Sequence, residues 1–345
     1  MEENKDIICV NHKELKEILK HYYKARKPVF IWGYQGIGKS YIVKELAVEL
    51  KIELIDVRAS QLDPSDIRGI PFRTDGRTQW LVPEWLPAEG KGIIFLDEFN
   101  QAPPLVQSSF FQLILDRKIG NYTLPKDWVV FCAGNPAEVS NVVFELPAPL
   151  LNRMGHIWLS VPSADEWINN FAISKGIDSR IIGFIKFKES LLWKYEEGMT
   201  AYPTPRTWEL CSNLIKDIPD REVELIKKLS ASAVGMPAAI QFSAFVKAKM
   251  SIDIDRILEN PEMINEIPED EIGTKYAVLT ELPVRYKKDR KVLSKIVKVL
   301  KVLNEPEWQV MIIRMLKEVD WEHMNKTMHT NAELKRLVES LCIYL

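Results

Sequence analysis

One stretch constrains this chain more than any other: Gly33-Tyr34-Gln35-Gly36-Ile37-Gly38-Lys39-Ser40, which fits the pattern G-x-x-x-x-G-K-[ST]. Before it, residues 28–32 (Pro-Val-Phe-Ile-Trp) are an apolar run that reads as a short buried strand. After it, residues 40–50 place apolar side chains at helical spacing. Strand, glycine loop and helix form the setting in which backbone amides converge on an anion at a helix start. The pattern therefore implies a nucleotide phosphate site in an α/β fold. Lys39 is expected to reach the β- and γ-phosphates, and Ser40 to ligate Mg²⁺. Gly33, Gln35, Gly36, Ile37, Gly38 and Tyr41 complete the expected nucleotide-contacting stretch.

A chain of 345 residues is long enough for two domains, or for one large domain with appendages. Its 46% hydrophobic and 27% charged content is ordinary for a soluble globular protein, and a net charge of -2 supplies no global basic field for nucleic acid. The cysteines (Cys9, Cys132, Cys211 and Cys342) lie far apart and form no C-x-x-C pair. That argues against a zinc site or a disulfide framework and for a reducing compartment. The N-terminus lacks the basic-then-apolar layout of a signal peptide, and no apolar run reaches the ~18 residues of a membrane span. A cytoplasmic location without membrane partners is the expectation.

Asn11 and Glu14 read as a helix cap, with the helix running to about Lys27, where Pro28 forces an extended chain. Residues 52–57 form the next expected strand. Residues 60–69 are polar and at most briefly helical. Residues 70–82 read as a hairpin turning at Asp75-Gly76. Residues 91–97 are a buried strand ending in acid, 105–116 a helix, 118–125 a second hairpin, and 128–133 another buried strand. This alternation implies a mostly parallel sheet covered on both faces. After about Ser160 the strands stop. Helices are expected to about Met250, an acidic and proline-containing linker over 253–275, and helices again from Val284.

A phosphate loop alone binds; hydrolysis also needs an acid beside the water and charge stabilisation at the γ-phosphoryl group. The strand ending Leu96-Asp97-Glu98 supplies two acids at a carboxyl end, where open α/β sheets place ligands. Asp97 is expected to hold Mg²⁺ through water and Glu98 to orient and polarise the attacking water. Alone, the pair is a common acidic loop; with the phosphate loop it has a specific use. Asn135 follows the next buried strand, so its amide suits a place between that water and the γ-phosphate, although Gly134-Asn135-Pro136 is also an ordinary turn. Arg153 and Arg206 suit transition-state stabilisation because a guanidinium is always charged and forks onto phosphate oxygens. Each alone is more often a surface residue; their order after the loop and the acids gives them weight.

Taken in order, these residues resemble an AAA+ ATPase: Walker A at 33–40, Walker B at 93–98, sensor 1 at Asn135, an arginine finger at Arg153 and sensor 2 at Arg206. Within that superfamily the chain is similar to the MoxR group, the clade with a helix-2 insert and a pre-sensor-1 hairpin. Leu96-Asp-Glu-Phe-Asn-Gln-Ala-Pro-Pro104, Cys132-Ala-Gly-Asn-Pro136 and Leu150-Leu-Asn-Arg153 carry the likeness, which spans roughly residues 8–250. Met154 stands where the group has an aromatic residue and Asn152 where it has an acid. The resemblance implies a P-loop parallel sheet flanked by helices over 1–160, a helical lid over 161–250 and a helical C-terminal extension over 251–345. It implies ATP and Mg²⁺, and a homo-oligomeric ring, usually a hexamer. Arg153 would act in trans on a neighbour's nucleotide and Arg206 in cis.

The resemblance further implies a remodeller or activator of protein complexes, with a von Willebrand A domain protein as a partner. The alternative is a nucleic-acid-directed motor or loader, or a GTPase like McrB, because the insert clade includes both kinds. A passive nucleotide switch has no need of Glu98. Phe72, Trp80, Trp85 and Tyr122 on or near the two hairpins either face a partner or pack on the sheet. The basic run 285–291, continued by Lys295, Lys298 and Lys301, reads as a solvated helix face, or as a contact for nucleic acid or an acidic partner. His156, His323 and His329 show no ligand spacing and receive no role.

Overall fold

The computed structural model describes residues 7–140, 142–250, 253–267, 272–303 and 305–341. Cys342 and the 268–271 part of the expected linker lie outside the described residues. The chain divides into two compact units, Met1–Pro162 and Ser163–Leu345.

The first unit runs β1 (Ile8–Val10), α1 (His12–Ala25), β2 (Val29–Trp32), α2 (Lys39–Leu50), β3 (Glu53–Arg58), α3 (Pro64–Arg68), β4 (Ile70–Thr74) and β5 (Arg77–Leu81). It continues with β6 (Lys91–Asp97), α4 (Pro104–Asp116), β7 (Lys118–Ile119), β8 (Tyr122–Thr123), β9 (Asp127–Gly134), α5 (Ala148–Leu151) and β10 (Gly155–Leu159). Six strands form one sheet in the order β1-β10-β2-β9-β6-β3, every neighbouring pair parallel. The inner strands are buried on both faces, which is why β2, β6 and β9 are nearly continuous apolar runs. β4–β5 and β7–β8 are antiparallel hairpins outside that sheet. Asn11 caps α1 as expected: its Oδ1 accepts from Glu14 N at 2.9 Å, and Glu14 accepts in turn from Asn11 N at 2.9 Å. The helix closes at Ala25 with Arg26 in the left-handed conformation.

Two strands were not legible. β1 is only three residues long, below the length at which alternation can be read, and β10 opens with Gly155-His156. β10 lies between β1 and β2, so it brings the 148–154 segment beside the strand that leads into the phosphate loop.

The second unit contains α6 (Ala164–Trp167), α7 (Ser179–Phe187), α8 (Pro205–Ile215), α9 (Val223–Val234), α10 (Met236–Lys249), α11 (Ile254–Glu259), α12 (Ile272–Lys288), α13 (Leu293–Val302), α14 (Pro306–Thr330) and α15 (Ala332–Leu341). Among its described residues there is no strand. A single apolar cluster runs from Trp167 and Phe184 through Phe242 to Ile296 and Leu316. The expected linker is corrected here. Asp253 caps α11, accepting from Asp255 N and Arg256 N, and Ile254, Ile257, Leu258 and Ile264 are buried in that cluster. Three apolar side chains at helical spacing in α11, with Ile264 in the turn that follows, outweigh an acidic surface composition. The basic run is partly consumed within the fold, through Arg285 to Asp255 (3.3 Å), Arg290 to Asp320 (2.9 Å) and Lys301 to Glu333 (2.8 Å). No described helix is long and apolar enough to cross a membrane.

Candidate nucleotide site

The carboxyl ends of β2, β6 and β9 lie side by side in the sheet and converge the expected site residues. From β2 the chain enters the loop through Gly33, whose φ of +155° a side chain rarely adopts; a Cβ there would meet the Leu159 carbonyl at 3.0 Å. The loop ends at Gly38, φ +102°, which caps α2. Gln35 lies within the loop and Tyr41 follows it on α2; the Tyr41 hydroxyl bonds Glu45 at 3.0 Å, and Gln35 Nε2 donates to the Val139 carbonyl at 3.2 Å.

Lys39 is buried, and its Nζ donates to the Gly33 carbonyl (2.7 Å), the Tyr34 carbonyl (2.8 Å) and Asn135 Oδ1 (2.8 Å). Lys39 and Asn135, 96 residues apart in sequence, are thus in direct contact. The Ser40 hydroxyl donates to Asp97 Oδ2 at 2.7 Å, while Asp97 Oδ1 accepts from Glu98 N at 2.9 Å. A hydroxyl and a carboxylate in contact are a hard oxygen pair. They fit a Mg²⁺ ion that keeps phosphate oxygens and water as its other ligands rather than an all-protein cage. Among the described residues no cluster of three His, Cys, Asp or Glu side chains competes for that role.

Glu98 has φ +55° and ψ +32°, left-handed for a non-glycine residue. Such a conformation costs about 1–3 kcal/mol and concentrates at functional sites. Its carboxylate accepts from the Ser60 hydroxyl at 2.7 Å. Asn135 is fixed from behind by Asn100, which is only 1% exposed. Asn100 Nδ2 donates to the Asn135 carbonyl at 2.7 Å, and Asn100 Oδ1 accepts from the Asn135 amide at 3.2 Å. The loop is also held from α1, where His12 Nε2 donates to the Ile37 carbonyl at 2.6 Å.

Residues 28–155 match the family described as "ATPase family associated with various cellular activities (AAA)". That span contains the phosphate loop, both acids, Asn135 and Arg153. These residues are similar to an AAA-type ATPase domain. No curated protein matches the chain. Among solved structures, a point mutant of RuvB from Thermotoga maritima is 14% identical over 74% of this chain and 78% of that one, with a TM-score of 0.38. NtrX from Brucella abortus is 15% identical over 95% of this chain and 67% of that one, with a TM-score of 0.33. Likenesses at this level carry no functional weight.

The first unit brings Gly33 to Ser40, Asp97, Glu98 and Asn135 together. Arg153 is exposed, and its guanidinium has no hydrogen bond or ion pair among the described residues. Arg206 belongs to the second unit, exposed in the first turn of α8 behind the Thr204 cap and Pro205. Ser60, Asn100 and His12 are site residues that sequence reasoning did not single out. Asn100 carried a signal, since it falls within the Leu96–Pro104 motif. Ser60 and His12 make contacts that no local pattern encodes.

The hairpin aromatics divide between the two readings. Phe72 and Trp80 are 37% and 39% exposed, beside Ile70 at 64% and Leu81 at 54%. Trp85 instead donates to the Asp66 carbonyl and packs near Phe110. The Tyr122 hydroxyl donates to the Pro87 carbonyl at 2.7 Å, and burial pushes its pKa up to about 12.

Proposed function

We propose that this chain hydrolyses Mg·ATP at a site completed by a second copy of itself, in a ring of the hexameric kind, and that the cycle remodels or activates a partner protein complex. Each step is assigned to a residue of this chain. Lys39 exchanges its carbonyl partners for β- and γ-phosphate oxygens. Ser40 and Asp97 would hold Mg²⁺, which would supply neutralisation of the phosphate charge. Glu98 takes up and polarises the attacking water, and Asn135, already at Lys39 Nζ, positions that water against the γ-phosphoryl group. Arg153 reaches a neighbour's nucleotide. Arg206 serves the nucleotide of its own chain, with 161–250 acting as lid and 251–345 as an extension of it.

The single observation that supports the shared site is Arg153: a guanidinium in the finger motif, exposed, with no partner among the described residues. A guanidinium offered outward suits an anion on another molecule, because its planar fork bonds phosphate oxygens in pairs. The exposed apolar and aromatic side chains of β4 and β5 support a protein partner, because an unpacked two-stranded hairpin is marginal in water. A von Willebrand A domain protein of the kind MoxR relatives use is the partner proposed. Two variants test the chemistry. Lys39→Ala is expected to lose tight nucleotide binding. Glu98→Gln is expected to bind ATP and turn it over at least about 100-fold more slowly. Normal turnover in Glu98→Gln would remove the water-activating role from that acid.

A further inference from the structure

His156, on β10, joins two elements of the site. On one side the Trp32 indole donates from Nε1 to His156 Nδ1 at 3.1 Å, with the two rings stacked at 6.3 Å. On the other side His156 Nε2 lies 2.8 Å from the Leu151 carbonyl. An indole N–H only donates, and a carbonyl only accepts. Those partners fix the ring: Nδ1 bare towards Trp32, and Nε2 carrying the proton to Leu151. Strand register makes the contact possible. Trp32 pairs with Trp158, so His156 is its diagonal neighbour on the same face of the sheet. Phe30 packs on Trp32 with ring centroids 4.2 Å apart and closes the stack from below.

The two ends of this bridge are the informative part. Trp32 is the last residue of β2 and is followed directly by Gly33, whose carbonyl holds Lys39 Nζ. Leu151 closes α5, and its carbonyl also accepts from Met154 N, so it anchors the turn on which Arg153 stands. Leu150, next to it, is fully buried in the core of this unit. A short polar path therefore runs from the phosphate loop through Trp32 and His156 to the turn that presents Arg153.

We infer that His156 is a positioning residue for Arg153, tying the arginine that a subunit offers to its neighbour to the loop that holds the subunit's own phosphates. The inference rests on the trans role proposed for Arg153. The ring does not touch nucleotide. It sets where the finger stands and passes a shift of Gly33 on to it through two hydrogen bonds and a stack, both of which resist small displacements. Without the ring the Leu151 turn loses its bond to the sheet, and Arg153 samples positions from which it does not reach the neighbouring phosphate.

The test measures ATP turnover of the full chain at saturating ATP and at a protein concentration where specific activity has levelled off, with nucleotide affinity measured in parallel. Arg153→Ala sets the scale of the finger. His156→Ala is expected to lower turnover about 10–100-fold, the cost of misplacing a reacting group by about 1 Å, while ATP affinity stays within about twofold. His156→Gln, whose amide still donates towards Leu151, is expected to recover most of that loss. Trp32→Phe keeps the stack but removes the donor, so it gives an intermediate loss and serves if His156→Ala does not fold. The decisive comparison is the double variant: His156→Ala with Arg153→Ala should be no slower than Arg153→Ala alone, because both act through one guanidinium. Full turnover in Arg153→Ala would overturn the trans reading, and this inference with it. A slow Arg153→Ala beside a normal or independently additive His156→Ala would overturn the inference alone.

Discussion

Asn100 makes a demanding test, because its side chain holds the backbone of Asn135, the residue proposed to position the attacking water. Asn100→Ala removes both bonds to the Asn135 backbone, one of 2.7 Å and one of 3.2 Å. Asn100 and Asn135 are 1% and 6% exposed, so water does not replace the lost partners freely. Leaving a buried amide or carbonyl unpaired costs roughly 1–3 kcal/mol each, and the longer bond belongs at the low end, which gives about 3 kcal/mol. That is a large share of a total stability of about 5–15 kcal/mol. A unit of this size should then melt roughly 6–12 °C lower. Asn100→Asp replaces the donor with a carboxylate oxygen that faces the Asn135 carbonyl in a buried site, so its loss should be at least as large. Scanning calorimetry gives the shift, and turnover measured well below the melting temperature reports the displaced Asn135 amide as a further, larger loss of rate. If Asn100→Ala melts within about 1 °C of the wild type, that argument from buried hydrogen bonding is wrong.

The remaining predictions concern single side chains. Tyr122 has its pKa raised to about 12, so the folded state keeps a proton that the unfolded chain releases near pH 10. Its contribution is complete below about pH 10 and is lost as the pH rises towards 12. Tyr122→Phe should therefore show a flatter fall in melting temperature between pH 8 and pH 11, and an unchanged slope would refute this. Ser60→Ala frees the Glu98 carboxylate from its 2.7 Å bond and is expected to slow turnover about 3–10-fold with ATP affinity unchanged, as read from a kcat and KM split. Equal losses in affinity would show that Ser60 acts on binding instead. Phe72→Ser with Trp80→Ser should leave the melting temperature within about 2 °C, since both side chains are exposed, but should abolish any stimulation of turnover by a protein partner. A large loss of stability would show that these rings are packed.

The candidate site was legible because its motifs are local in sequence. The glycine loop, the apolar run ending in Asp97-Glu98 and the run ending at Asn135 each announce a strand and the residue that leaves it. What was not legible depends on pairing between distant segments. Ile8–Val10 and Gly155–Leu159 are strands only because each pairs with the other and, for the second, with β2. The bonds from Ser60 to Glu98 and from Asn100 to Asn135 cross 38 and 35 residues. His156 looked idle by ligand spacing and acquires a role only once Trp32 and Leu151 are placed against its two nitrogens. The 253–275 segment misled through composition: its acids and prolines face outward while Ile254, Ile257, Leu258 and Ile264 pack inward. The left-handed backbone of Glu98 has no sequence signal, because a glutamate is not the residue that such a conformation favours.

The central claim is that two copies of this chain build one active site. The most direct measurement is ATP turnover per subunit as a function of protein concentration, for the wild type and for Arg153→Ala. The account predicts that wild-type specific activity climbs with concentration to a plateau, while Arg153→Ala stays flat, roughly 10³-fold below that plateau. Activity that is flat with concentration and indifferent to Arg153 would mean that each subunit hydrolyses ATP alone, and the shared site would have to be abandoned.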